Sequence, residues 1–137
     1  MAIAFKMKIR VYYEDTDAAG IVYYANYLRF MERCRSDWLR ELGYDICEID
    51  KQYGVFFAVR STQVEYFRPA RLSDFLTITI QLTELKRASL RLAQLVCRNT
   101  ALLCQSTVRL ACLDSSTLDL AAIPEPLFCD IKKWKMP

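Results

Sequence analysis

Carboxylates and hydroxyl groups are the first candidates for chemistry in this sequence, because it contains no histidine. The absence of histidine excludes Ser-His-Asp and Cys-His triads and histidine-based metal sites. The six cysteines are scattered and form no Cys-x-x-Cys pair. We therefore expect reduced cysteines, no structural zinc site and no cofactor.

The segment Asp15-Thr16-Asp17 places two carboxylates in a turn-rich loop that runs to Gly20. Aspartate is common in turns, so on the residues alone Asp17 is either a turn-forming residue or a catalytic carboxylate. For a motif this short, the interpretation of Asp17 as a turn-forming residue is favoured. We interpret Asp15 as a structural residue of the loop.

The loop lies between two patterned segments. Residues 7–14 alternate in polarity, which predicts a half-buried strand with Tyr13 on its apolar face. Apolar residues recur every three or four positions in 25–42, which predicts a long amphipathic helix. Asn26 is the expected N-cap, and Gly43 stands where a helix-ending glycine is favoured.

Period-two alternation after Gly54 predicts strands at 55–67, 76–83, 89–98 and 102–113, with a short helix at 127–134. One strand, one long helix and four further strands are typical of an α+β protein. We expect one domain, residues 1–137, in which a curved antiparallel sheet wraps around the long central helix.

Composition limits the partners of this chain. The net charge of +3 over 137 residues is too small to favour nucleic-acid binding. No apolar run is long enough to span a bilayer, and the first residues do not resemble a signal peptide. We therefore expect a cytoplasmic protein with no integral membrane segment.

Residues 13–27, YEDTDAAGIVYYANY, resemble the signature of the 4-hydroxybenzoyl-CoA thioesterase family and are similar to YbgC-like acyl-CoA thioesterases. The resemblance continues through RFMERCR at 29–35 and in the order of the strands. It implies a hotdog fold, a dimer or tetramer, and hydrolysis of an acyl-CoA, either aliphatic or of the 4-hydroxybenzoyl type. It also implies that Asp17 is the catalytic carboxylate and that the Tyr24 N–H polarises the thioester carbonyl.

This assignment agrees with elementary chemistry. A thioester carbonyl gains negative charge on oxygen when it is attacked, and a helix N-terminus offers unpaired N–H groups at its positive end. Asp17 would then either attack the carbonyl carbon to give a mixed anhydride or activate water as a general base. Both routes are open at the level of sequence.

Other side chains have a structural and a functional interpretation. Tyr13 either packs in the core or lines the acyl site, and Glu32 either forms a salt bridge along the helix or is a second candidate acid. The segment 86–89 is either a polar hairpin or, by resemblance, a contact for the phosphates of CoA. The residues concerned are Lys86, Arg87 and Ser89, with Arg60 and Arg68 as weaker alternatives.

Two other functions compete with hydrolysis. The first is a non-catalytic hotdog module that binds acyl-CoA or acyl carrier protein. The second is a hotdog dehydratase or hydratase, whose usual histidine is absent from this chain. A small sheet covered by one helix also leaves edges exposed, which predicts a homo-oligomer. The resemblance to hotdog proteins implies that the active site lies at the dimer interface, with Asp17 and the CoA-binding residues on different subunits.

Overall fold

The computed structural model describes residues 5–135, which contain five strands, three helices and one short 3₁₀ turn. The strands are β1 (Phe5–Arg10), β2 (Val55–Tyr66), β3 (Phe75–Leu85), β4 (Ser89–Arg98) and β5 (Ala101–Asp114). The helices are α1 (Asn26–Glu41), α2 (Ile46–Tyr53) and α3 (Glu125–Lys135), and the 3₁₀ turn is Tyr13–Asp15. No helix in this described part is long and apolar enough to cross a membrane.

The strands form one antiparallel sheet in the order β1-β3-β4-β5-β2. Leu76, Ile78 and Ile80 of β3 are fully buried, as the alternating pattern predicts for the face that carries the core. Helix α1 packs on that face, with contacts to β1 and β3. The predicted α+β hotdog architecture is confirmed, and the sheet leaves β1 and β2 as its two edges.

Helix α1 buries a stripe formed by Phe30, Met31, Cys34 and Trp38. Leu28, which the apolar spacing predicts in this stripe, is 40% exposed. The helix begins at Asn26, so its N-cap position is Ala25, whose side chain has no hydrogen-bond acceptor. The Asn26 side-chain amide donates instead to the Asp15 carbonyl. The prediction of Asn26 as N-cap is therefore wrong.

Strand β1 ends earlier than the alternation predicts. The carboxylate of Asp15 accepts the Tyr12 N–H at 2.9 Å, and the Asp15 N–H donates to the Tyr12 carbonyl at 3.0 Å. These bonds fold 13–15 into the 3₁₀ turn. Tyr13 is consequently 82% exposed, so its predicted place on the apolar face of a strand is wrong.

Helix α2 was not predicted from the sequence, although both of its ends have ordinary signals. The Asp45 carboxylate caps it by accepting the Cys47 N–H, and Gly54 ends it in the left-handed conformation at φ +67°. Helix α3 begins two residues before the predicted helix and buries Leu127 and Ile131 completely.

Candidate active site

Asp17 begins a small hairpin that precedes helix α1. Its N–H donates to the Ile21 carbonyl at 2.9 Å, and its carbonyl accepts the Gly20 N–H at 3.0 Å. Gly20 has φ +78°, a conformation that glycine adopts without strain. Carboxylate oxygen Oδ1 accepts the Ala19 N–H at 2.9 Å, whereas Oδ2 has no donor among the described residues. Asp17 thus presents one free oxygen from an exposed, hydrogen-bonded turn.

Asp15 connects this hairpin to the start of the helix. Its carbonyl accepts the Tyr23 N–H at 3.0 Å and the Asn26 side-chain amide at 2.8 Å, while its carboxylate holds the Tyr12 N–H. Both the carboxylate and the carbonyl of Asp15 are therefore used in hydrogen bonds within the loop and the start of the helix. The structure is consistent with the structural role expected for Asp15.

Tyr24 lies in the turn that leads into α1. The Asn26 N–H donates to the Tyr23 carbonyl at 2.8 Å, which makes Tyr24 the second residue of a four-residue turn. The Tyr24 N–H has no acceptor among the described residues. It is therefore available to an external oxygen at the positive end of the helix.

Tyr24 lines an open cleft of about 250 Å³, which we call the helix-start cleft. Its lining residues come from the hairpin, from α1 and from the end of β2: Ile21, Val22, Tyr24, Tyr27, Tyr66, Phe67, Arg68 and Pro69. Asp17 does not line this cleft itself but is paired through its backbone with Ile21, which does. The lining is mainly apolar and aromatic, with Arg68 as its one charged residue.

Two tyrosine hydroxyls fix the walls of the helix-start cleft. The Tyr66 hydroxyl donates to the Tyr24 carbonyl at 3.1 Å, and the Tyr27 hydroxyl accepts the Ala70 N–H at 2.9 Å. Burial raises the pKa of both Tyr27 and Tyr66. Both phenols are therefore neutral at physiological pH. Tyr66 holds the Tyr24 carbonyl from the end of β2, and Tyr27 connects the start of α1 to the loop after β2.

A charged pair supports the loop beneath the cleft. Arg98 donates to the Asp74 carboxylate at 2.6 Å, and the same oxygen accepts the Arg71 N–H at 2.8 Å. Burial alone would raise the pKa of Asp74, but these hydrogen bonds and the Arg98 charge lower it below its ordinary value.

The main predicted phosphate-binding residues, in the turn 86–89, lie at the opposite end of the sheet, whereas the weaker alternative Arg68 lines the helix-start cleft. The Lys86 N–H donates to the Ser89 carbonyl at 2.8 Å in the turn between β3 and β4, and the Lys86 ammonium pairs with Glu84 at 3.2 Å. Arg87 is exposed in the same turn. Strand β1, which leads into the Asp17 hairpin, ends beside Phe75, whereas the turn 86–89 follows Leu85. The hairpin and this turn are therefore separated by the length of β3, about 33 Å. One chain does not bring them together.

Glu32 forms no ion pair among the described residues, so the predicted salt bridge along the helix is wrong. Its carboxylate instead accepts the Ser36 hydroxyl at 2.6 Å. The described residues contain no group of three or more His, Cys, Asp or Glu side chains placed to hold a metal ion. The chemistry available at the helix start is that of a carboxylate and an unpaired amide.

Sequence reasoning missed Tyr27 and Tyr66 as parts of the site. Tyr27 has the spacing of a core residue, and Tyr66 is at the end of a strand 42 residues after Tyr24. No local pattern reports that β2 returns to the helix start, so only the strand order identifies this neighbour.

Comparison with known proteins identifies the family of this chain. Residues 11–132 match the model of the thioesterase-like superfamily. The chain is 37% identical over 121 residues to the acyl-CoA thioesterase YbgC of Haemophilus influenzae, covering 88% of this chain and 89% of that protein. It is 37% identical over 130 residues to the acyl-CoA thioester hydrolase YbgC of Escherichia coli O157:H7, covering 94% and 96%.

Solved structures show the same fold. A probable thioesterase from Bartonella henselae superposes with a TM-score of 0.85 at 30% identity, over 90% of this chain and all of that one. The family match covers the hairpin of Asp17, helix α1 and all of the strands after it. The chain therefore belongs to the thioesterase-like superfamily and is a thioester hydrolase with a hotdog fold.

Proposed function

We propose that this protein hydrolyses an acyl-CoA to the free acid and CoA, with Asp17 as the catalytic carboxylate and the Tyr24 N–H as the oxyanion donor. The observation that carries the proposal is the unpaired Tyr24 N–H at the start of α1, next to the hairpin that presents the free Oδ2 of Asp17. The relatives named acyl-CoA thioesterase and acyl-CoA thioester hydrolase support CoA as the leaving group.

In this proposal the thioester carbonyl oxygen points at the Tyr24 N–H. Charge that develops on this oxygen is stabilised by the amide and by the helix dipole. Asp17 either bonds to the carbonyl carbon, expelling the CoA thiolate and leaving an anhydride that water cleaves, or removes a proton from the water that attacks. Both routes consume one water and give the same acid and thiol.

The substrate site is completed by a second copy of the chain. Strand β2 is an edge strand of 12 residues, and its segment 61–63 is exposed. An uncovered edge of this length favours antiparallel pairing with another β2 about a two-fold axis. Such pairing brings the Tyr66 end of β2 next to the partner's Val55 end.

The Val55 end of β2 is also the end of the sheet that carries the phosphate-binding candidates. Ala58 of β2 pairs with Ala111, and Ala111 pairs with Ser89 beside the turn of Lys86 and Arg87. In the paired arrangement, these basic side chains would lie at the same end of the interface as the partner's helix-start cleft. We infer that they bind the CoA phosphates for the partner's Asp17, and that the protein is a dimer or a tetramer of such dimers.

The catalytic claim is tested by the isosteric variant Asp17→Asn, with Asp15→Glu as a control for disturbance of the loop. Released CoA is measured by chromatography over a panel of short, long and aromatic acyl-CoAs, because exposed Cys47 and Cys129 would react with a thiol reagent. Hydrolysis by the wild type should be lost in Asp17→Asn. Turnover like that of the wild type in this variant would remove Asp17 from its role.

The shared site is tested by mixing two inactive variants. Asp17→Asn and the double variant Lys86→Ala, Arg87→Ala are combined under conditions that exchange subunits. Half of the randomly formed dimers would contain one intact site of the two, so activity should return to about a quarter of that of the wild type. If each site belonged to one chain, mixing would restore nothing.

Tight acyl-CoA binding without turnover would instead favour a non-catalytic module for acyl-CoA or acyl carrier protein.

A further inference from the structure

An open groove of about 470 Å³ lies at the Val55 end of edge strand β2, on the face of the sheet turned away from α1. Ala58 lies on this outer face, because it pairs with Ala111, which alternates with the core residues Leu110 and Cys112. We call this feature the outer groove. Its lining residues are Ala58, Val59, Arg60, Ala111, Leu113, Leu118, Asp119 and Leu120.

The loop after β5 gives the outer groove an apolar wall of fixed shape. Leu118 and Leu120 in this loop are 62% and 60% exposed. The Asp114 carboxylate accepts two N–H groups of the loop, and Leu120 forms an antiparallel bridge with Leu113. Because these bonds hold the loop, its two leucines are presented to the outside, as at a contact surface.

Strand β2 carries opposite charges on its outer face, on either side of its exposed middle. Arg60 is the extra residue of a β-bulge between Val59 and Ser61, and it lines the outer groove. Glu65 lies further along the same face, where it accepts the Gln105 side-chain amide at 3.3 Å. Neither Arg60 nor Glu65 forms an ion pair within the described part of the chain. This charge pattern is complementary to itself when two copies of β2 run antiparallel.

We propose that the outer groove binds Phe67 of a second copy of the chain, and that Arg60 beside the groove binds the partner's Glu65. This inference rests on the β2 pairing of the proposed function and fixes its register. Phe67 continues β2 by one residue, since its N–H donates to the Leu103 carbonyl at 2.8 Å. The alternation of the strand places it on the outer face, and it is 48% exposed.

A two-fold axis at Gln63 gives both contacts in one register. The bulge 60–61 then lies opposite the partner's Glu65, and Ala58 lies opposite the partner's Phe67. Because the bulge contains one extra residue, each of these pairs lies on a single face of the sheet, as antiparallel pairing requires.

The same register makes the partner part of the helix-start cleft. Val59 would lie opposite the partner's Tyr66, whose hydroxyl holds the Tyr24 carbonyl. Phe67 lines the helix-start cleft, so its insertion into the partner's outer groove would close the cleft on that side. Arg60 would therefore serve the subunit contact and not the CoA phosphates.

The charge pair is tested by mixing the reversal variants Arg60→Glu and Glu65→Arg. Alone, each variant places like charges at both ends of its own dimer interface. In the mixed dimer both contacts join opposite charges again, because residue 60 of one variant faces residue 65 of the other. Native mass spectrometry after subunit exchange at low salt counts the homodimers and the heterodimer. As a control, Glu48→Arg and Lys51→Glu reverse an exposed charge pair on α2.

We expect the β2 variants to form at least about 80% heterodimer at low salt, and less as salt screens the charges. The control variants should form about half heterodimer, as random pairing requires. Random pairing of the β2 variants, or a wild type that stays monomeric, would overturn the proposal, whether or not acyl-CoA is hydrolysed. Excess heterodimer in a protein that hydrolyses no acyl-CoA would contradict only the proposed function.

The groove contact is tested by Phe67→Ala and Leu118→Ala, with the dissociation constant of the dimer measured by sedimentation. Each dimer contains two copies of the contact, so each variant should weaken the dimer by about tenfold or more. The double variant should weaken it by less than the product of the two effects, because both substitutions remove the same contact. Phe75→Ala, at a phenylalanine that is 50% exposed on β3, should leave the constant unchanged. A wild-type constant in Phe67→Ala, or fully multiplicative effects in the double variant, would overturn the groove contact.

Discussion

Removing the Tyr24 N–H by Tyr24→Pro tests the oxyanion donor with little damage to the fold. The Tyr24 N–H has no acceptor among the described residues, so proline removes no hydrogen bond. Tyr24 is also the second residue of the turn from Tyr23 to Asn26, in which Ala25 has φ −70° and ψ −21°. Proline is favoured at this position of such a turn. The variant should therefore fold and keep the start of α1.

The expected loss follows from the value of one oxyanion donor. Removal of a single preorganised donor costs roughly 10²–10³ in kcat, or about 3–4 kcal/mol of transition-state stabilisation. KM should change much less, because the negative charge on the oxygen develops only during the reaction. We expect Tyr24→Pro to lose at least a hundredfold in kcat while its thermal unfolding midpoint stays within a few degrees of the wild-type value.

Tyr24→Ala is the matched control, because it removes the side chain and keeps the N–H. It gives up the ring contacts of Tyr24 with Tyr23 and Tyr66, at centroid distances of 4.9 and 6.2 Å, but not the hydrogen bond from the Tyr66 hydroxyl to the backbone carbonyl. We expect its kcat within about tenfold of the wild type. Equal kcat values for Tyr24→Pro and Tyr24→Ala, measured by released CoA, would refute the assignment of this amide.

Two further predictions concern stability. The hydrogen bonds that lower the pKa of Asp74 make its carboxylate stabilise the folded protein above the ordinary aspartate pKa, and this contribution is lost as the pH falls through the lowered value. Asp74→Asn should lower the free energy of unfolding by about 1–2 kcal/mol at pH 7, measured by urea unfolding. Below a pH of about 4 the stability of the variant should depend less on pH than that of the wild type, and an equal dependence would contradict this. Leu92 is fully buried, so Leu92→Ala should lower the free energy of unfolding by about 2–5 kcal/mol. Leu72 is 47% exposed, so Leu72→Ala should lower it by less than about 1 kcal/mol. Similar urea midpoints for the two variants would contradict the core described.

The sheet was predictable from local pattern because each strand buries one face. In β3, Leu76, Ile78 and Ile80 alternate with threonines, and this period is enough to define a strand and its inner face. The long helix was predictable for the same reason, since its apolar stripe covers four turns. These elements give the α+β class but not the order β1-β3-β4-β5-β2, which depends on contacts between distant segments.

Predictions failed where a side chain competes with the backbone pattern. Residues 7–14 alternate as a strand should, but the Asp15 carboxylate takes the Tyr12 N–H and turns the chain after Arg10. Asn26 has the identity of an N-cap, yet its amide is used by the carbonyl of Asp15. In both cases a loop hydrogen bond that no periodicity records decides the local structure.

The candidate site was only partly predictable. The motif around Asp17 identifies the hairpin and the helix start because both lie within ten residues of each other in sequence. The contact between Tyr66 and Tyr24 was not predictable, because it joins residues 42 positions apart and depends on how β2 packs against the start of α1.

The most direct measurement is a crystal structure of Asp17→Asn with a thioether analogue of an acyl-CoA that retains the carbonyl and cannot be hydrolysed. The account predicts the carbonyl oxygen about 3 Å from the Tyr24 N atom, with the residue 17 side chain beside the carbonyl carbon. It also predicts the CoA phosphates against Lys86 and Arg87 of the other subunit. An analogue bound with its carbonyl away from this amide, or with the residue 17 side chain out of contact with the carbonyl carbon, would contradict it.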